Sequence, residues 1–146
     1  MPNERELELY IDGGSRGNPG PAAAAWVVKD RSGKTLVADA AALGRATNNV
    51  AEYTALVNGL RAVREQSANA VRIFSDSELL VRQLLGQYRV RSADLRSLFE
   101  EAQLALLSFD RWQIRHVPRE QNREADALVN ETLDREPGGP ARPVPA

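Results

Sequence analysis

The apolar residues of this chain change their period near residue 49, and that change restricts the available folds more than any other feature. Before it, Leu7-Glu8-Leu9-Tyr10-Ile11-Asp12 alternates apolar and polar side chains as a half-buried strand does. The glycine-rich run Gly13 to Pro21 ends that strand as a tight loop. Ala22 to Lys29 reads as a second strand, buried at Trp26-Val27-Val28. Asp30-Arg31-Ser32-Gly33-Lys34 is a turn, and Thr35 to Leu43 returns as a third strand. Three strands joined by short turns make an antiparallel meander. After the change, Leu56, Leu60 and Val63 recur at helical spacing between Asn49 and about Glu65.

The remainder alternates the two periods. Val71-Arg72-Ile73-Phe74 is a short strand. Ser75-Asp76-Ser77-Glu78 opens a second helix, which runs to about Leu85 and is stopped by Gly86. Tyr88 to Ser92 is a basic link, and a third helix fills Ala93 to about Leu107. Arg111 to Val117 is a fifth strand ended by Pro118, and Asn122 to about Arg135 is the last helix. The order β-β-β-α-β-α-α-β-α predicts a mixed α/β fold, a five-stranded mixed sheet flanked by helices. Residues 136–146 hold four prolines without apolar periodicity and read as a flexible tail.

A chain of 146 residues fits one domain and buries a core without staples. Without cysteine, disulfides and zinc–thiolate sites are excluded. No apolar stretch is long enough for a membrane span, and the N-terminus has no secretory pattern, so a cytoplasmic monomer is the expectation. A net charge of −1 says nothing of nucleic acid, so any phosphate-binding cations must be placed locally. There are 17 arginines against 2 lysines. A guanidinium grips phosphate with paired hydrogen bonds, but genomic base composition is the simpler account of the bias.

Four carboxylates stand in awkward places. Asp12 closes the first strand, where Asp before Gly13-Gly14 is also good turn chemistry. Glu52 precedes Leu56 by one helical turn and Leu60 by two, which puts it on the core-facing stripe. A carboxylate there is costly unless paired or metal-bound. The competing reading is a cap, with Asn49 as N-cap and Glu52 three residues on. Asp76 begins a helix and is a possible cap, yet Ser75 and Glu78 already form a capping box. Asp126 borders the apolar stripe of the last helix near Val129 and Leu133, and a solvated helix edge explains it equally well. Together the four have the chemistry of a hard divalent-cation site, because magnesium prefers oxygen ligands completed by water and phosphate.

These residues carry a family resemblance spanning roughly residues 5–135. The runs Ile11-Asp12-Gly13-Gly14-Ser15-Arg16-Gly17-Asn18-Pro19-Gly20, Thr47-Asn48-Asn49-Val50-Ala51-Glu52 and Phe74-Ser75-Asp76-Ser77 resemble, in order, three motifs of the type I ribonucleases H. The run from His116 to Leu128, containing Asp126, resembles the fourth. The resemblance implies a ribonuclease H-like catalytic domain over residues 1–135. It also implies hydrolysis of the RNA strand of RNA/DNA hybrids by two magnesium ions, with manganese as substitute, leaving 5′-phosphate and 3′-hydroxyl ends. Asp12, Glu52, Asp76 and Asp126 match the family's metal ligands. Gly13, Gly14, Ser15 and Asn18 match loop positions near the RNA strand. Asn48, Asn49 and Asn122 match polar substrate contacts, for which capping and turn formation are the plainer alternatives.

Two departures mark a compact subgroup. Gly86 to Ser92 is too short to carry the family's basic protrusion, and no N-terminal hybrid-binding domain is expected. Arg82, Arg89, Arg91 and Arg96 are left as a small phosphate patch, with Arg89 and Arg91 its strongest members and Arg96 better read as solvated surface. His116 stands ten residues before Asp126, as the family's auxiliary histidine does, but it alternates with Trp112 and Ile114 as a strand residue. Cleavage of double-stranded RNA, or a silent binding module, are the rival readings.

Overall fold

A computed structural model of the chain describes residues 4–135. Five strands, β1 (Glu6–Ser15), β2 (Gly20–Lys29), β3 (Thr35–Ala46), β4 (Ala70–Ser75) and β5 (Arg111–His116), form one sheet in the order β3-β2-β1-β4-β5. The first three pair antiparallel, while β4 runs parallel to β1 and β5 parallel to β4. The helices are α1 (Asn48–Glu65), α2 (Glu78–Leu84), α3 (Ala93–Leu107) and α4 (Arg123–Arg135). The mixed sheet and the element order agree with the sequence pattern. The proline-rich segment 136–146 lies outside the described residues. Among the described residues, no helix is long and apolar enough to cross a membrane.

Strand β2 shows how the layers form. Its residues point alternately to the two faces. Ala24, Trp26 and Val28 join Leu7, Leu9 and Ile11 beneath Leu56, Leu60 and Val63 of α1, with α2 and α3 completing that side. Ala23, Ala25 and Val27 meet Ala125, Val129 and Leu133 of α4 on the other face. The four-residue spacing of that α4 trio is one helical stripe. Leu60 is fully buried, so truncating it to alanine costs about 2–5 kcal/mol.

Several local boundaries differ from those read in the sequence, each for a physical reason. Gly13, Gly14 and Ser15 are not loop but strand, paired with Ala24, Ala23 and Ala22, so the turn shrinks to residues 16–19. Helix α1 is capped not by Asn49 but by Thr47, whose hydroxyl accepts the Val50 N–H. The expected Ser75–Glu78 capping box does not form. Ser75 is buried in β4, and its hydroxyl accepts the Ser77 N–H, leaving Ser77 to cap α2 through Leu80. Asn122 precedes α4 rather than belonging to it, after a 3-10 turn over Arg119–Gln121.

Candidate active site

The parallel register of the central strands brings two of the carboxylates together. Ile11 of β1 pairs with Ser75 at the end of β4, so Asp12 and Asp76 follow side by side, Asp12 within β1 and Asp76 just past β4. Glu52 arrives from above because α1 descends onto Gly13. A Cβ there would lie 2.4 Å from the Ala51 carbonyl carbon and 2.5 Å from the Glu52 nitrogen. Only glycine allows that approach of helix to strand. Asp126 enters from the first turn of α4, whose apolar stripe fixes it to the opposite face. The four carboxylates line one cleft of about 350 Å³ together with Gly13, Gly14, Ser15 and Asn48.

The charges in this cleft oppose one another. Asp12 is nearly buried, and its carboxyl is pushed up to about 8, first by loss of solvent and then by the negative charges of Asp76, Asp126 and Glu52. A hydrogen bond to Asp126 also holds its proton. Glu52 is raised to about 7 by burial, partly offset by a hydrogen bond from the Ser77 hydroxyl.

The donor set fits a hard cation: it consists of carboxylate oxygens, with neither cysteine nor histidine on the cleft wall. Among the described residues, no three acidic or histidine side chains are close enough to enclose an ion alone. Such a site is open, so a bound ion must complete its shell with water or phosphate oxygens, as magnesium commonly does. Cations would also offset the burial and the repulsion that keep protons on Asp12 and Glu52.

Of the remaining residues singled out by the sequence, some line this cleft, some a second one, and some neither. Asn48 Oδ1 accepts the Ser15 N–H at 2.7 Å, and Asn18 Oδ1 accepts the Asn48 N–H at 3.0 Å. The three residues tie the β1–β2 turn to the start of α1. Asn18 itself lines neither cleft. Asn49, one residue along α1, lines a second cleft of about 650 Å³ with Arg89, Arg91, Tyr88 and Ser92. Buried Gln83 fixes its floor: its oxygen accepts the Tyr53 hydroxyl at 2.8 Å, and its amide donates to the Arg89 carbonyl at 3.1 Å. Arg82 lies aside, paired with Glu78 at 2.9 Å, and Arg96 reaches the Val90 carbonyl at 3.5 Å.

One expectation changes, that for Asn122, while the strand reading of His116 holds. Asn122 is 1% exposed and hydrogen-bonded inward, so it is not positioned to touch a substrate. His116 ends β5 opposite Ser75, exposed and on neither cleft wall. Arg119, from the 3-10 turn, does line the carboxylate cleft. Its signal in the sequence was faint: a cation directly after the strand-ending Pro118.

Comparison with known proteins places this geometry. The family model described as "Reverse transcriptase-like" matches residues 10–132. The Ribonuclease HI of Halobacterium salinarum is 45% identical over 88% of this chain and 64% of its own length. Mycobacterial relatives match over 36% of theirs, so the chain spans about two thirds or less of these curated relatives. The crystal structure of the Halobacterium salinarum RNase H1 superposes with a TM-score of 0.86 at 43% identity, covering 89% of this chain and 98% of that one. A structure of LC11-RNase H1 in complex with RNA/DNA hybrid gives a TM-score of 0.84 at 39% identity, covering 88% and 97%.

Proposed function

The chain belongs to the ribonuclease H family, and from that premise we propose that it is an endonuclease hydrolysing the RNA strand of RNA/DNA hybrids. The observation that carries this reading is the convergence of Asp12, Glu52, Asp76 and Asp126, from strand β1, the end of β4 and two helices, on one open cleft. When bound there, two magnesium or manganese ions would activate water and stabilise the leaving 3′-oxygen, giving 5′-phosphate and 3′-hydroxyl ends.

The protein's own part is placement. Gly13, Gly14 and Ser15 give the cleft a wall of main chain and small side chains beside Asn48. Such a wall suits a minor groove, where the 2′-hydroxyl distinguishes RNA from DNA. Arg16 is engaged with Asp134 at 2.8 Å, which leaves Arg119 as the cation on that wall to meet a phosphate. Arg89 and Arg91, with Asn49, would hold backbone phosphate in the second cleft. Asn18 acts through the α1 terminus that it braces. His116 has no part in the chemistry on this reading.

Digestion of labelled hybrid, duplex RNA and duplex DNA with magnesium, manganese or chelator tests the proposal. Cutting is expected of the RNA strand of the hybrid, with either metal and not with chelator. Hybrid that is bound yet left intact with both metals would instead mark a binding module. Faster cutting of duplex RNA than of hybrid would reassign the substrate.

A further inference from the structure

We infer that Asn122 is a positioning residue that holds three of the four carboxylates in register. The inference rests on the reading of the cleft as a metal site. Asn122 lies between the end of β1 and the start of α4, 1% exposed. Its Nδ2 donates to the Ile11 carbonyl at 2.8 Å and stands 3.4 Å from Asp76 Oδ2. Its own backbone carbonyl accepts the Asp126 N–H at 3.1 Å. One residue therefore touches the peptide preceding Asp12, the carboxylate of Asp76 and the backbone of Asp126. These belong to β1, the β4–α2 link and α4, which nothing local in the sequence ties together.

The orientation of the amide supports this role. Asn122 Oδ1 is buried and has no hydrogen-bond partner among the described residues. A buried amide oxygen left open is unfavourable, so the donor side must set the orientation. Turned over, the amide would press its oxygen against the Ile11 carbonyl and the Asp76 carboxylate, two acceptors. A carboxamide also has a merit that lysine lacks here: it donates to Asp76 without bringing a positive charge to compete with a cation. Outer partners of this kind set the direction of metal ligands, and losing one commonly costs 10–100-fold in metal affinity.

The test is Mn2+ binding to the full chain without nucleic acid, wild type against Asn122→Ala, followed by the paramagnetic signal of free Mn2+. Thermal unfolding in chelator and steady-state cleavage of hybrid accompany it. The expected result is at least about tenfold weaker Mn2+ binding well below the unfolding temperature, with kcat reduced at limiting metal and KM for hybrid unchanged. Unaltered Mn2+ binding with a raised KM would make Asn122 a substrate contact and overturn the inference. Unaltered Mn2+ binding with only a lowered Tm would make it structural and overturn it equally. Failure of the wild type to bind Mn2+ would remove the metal site itself, a result distinct from both. Should Asn122→Ala not fold, the wild-type Asn122 side-chain amide resonances serve instead. They are expected to shift on adding Mg2+, and resonances unmoved by Mg2+ would overturn the assignment.

Discussion

Asp12 is the residue on which the cleft turns, because its carboxyl is displaced furthest from its ordinary range. The folded, metal-free protein keeps a proton on Asp12 up to about pH 8 and on Glu52 up to about pH 7. An unfolded chain loses both near pH 4. Between those limits the folded state binds more protons, so stability falls as pH rises. The melting temperature in chelator is therefore expected to drop between about pH 5 and 8, and added Mg2+ to restore it at the alkaline end. A flat profile would contradict this. Asp12→Asn should remove much of the slope and stabilise the metal-free protein at pH 8 by about 1–3 kcal/mol, because a neutral amide escapes both the burial cost and the repulsion of the ionised carboxyl. Denaturant titration measures that gain, and a loss of stability would count against the repulsion. At Arg119 and His116 the expectation is asymmetric. Arg119→Ala should lower kcat about tenfold, the worth of one charged hydrogen bond, while His116→Ala leaves cleavage rates within about twofold because it lies on neither cleft wall. Equal losses in steady-state assays would put the histidine back in the site.

At the scale of elements, strand β1 and helix α1 make the site by their closeness. The Gly13 contact with the α1 backbone predicts that Gly13→Ala forces the helix off the strand, costing about 1–3 kcal/mol as overpacking does, with weaker Mn2+ binding because Glu52 moves away. Chemical denaturation and metal titration check both, and a variant unchanged in both would deny that closeness. The elements themselves were legible because hydrophobic period survives in sequence: α3 runs from Ala93 to Leu107 as its pattern predicts. What the pattern missed was tertiary. Gly13-Gly14 has turn chemistry, but pairing with the alanines of β2 carries the strand through it. Ser75-Asp76-Ser77-Glu78 has two possible capping serines, and burial of Ser75 in β4 decides for Ser77. The four carboxylates could be read from their motifs. The inward turn of Asn122 could not, since its partner Ile11 is 111 residues away in the chain.

Taken whole, the molecule carries a net charge of −1 and must gather its cations locally. Asn48 and Asn49 stand side by side at the start of α1, each lining a different cleft, so one helix end fixes the carboxylates relative to the arginine-lined groove. Replacing both Arg89 and Arg91 by alanine should weaken hybrid binding and reduce the steepness of its log–log salt dependence by about 1–2. Unchanged steepness in a salt series would remove the second cleft from the interface. Cutting of RNA paired to DNA by the four-carboxylate cleft with divalent metal is open to direct measurement. The measurement is single-turnover cleavage of an RNA-labelled hybrid with Mg2+ by the wild type and by Asp12→Asn. Expected are wild-type cutting to 5′-phosphate products and a folded variant slower by at least about a hundredfold. An intact RNA strand with the wild type, or a variant as fast as the wild type, would contradict cutting by this cleft.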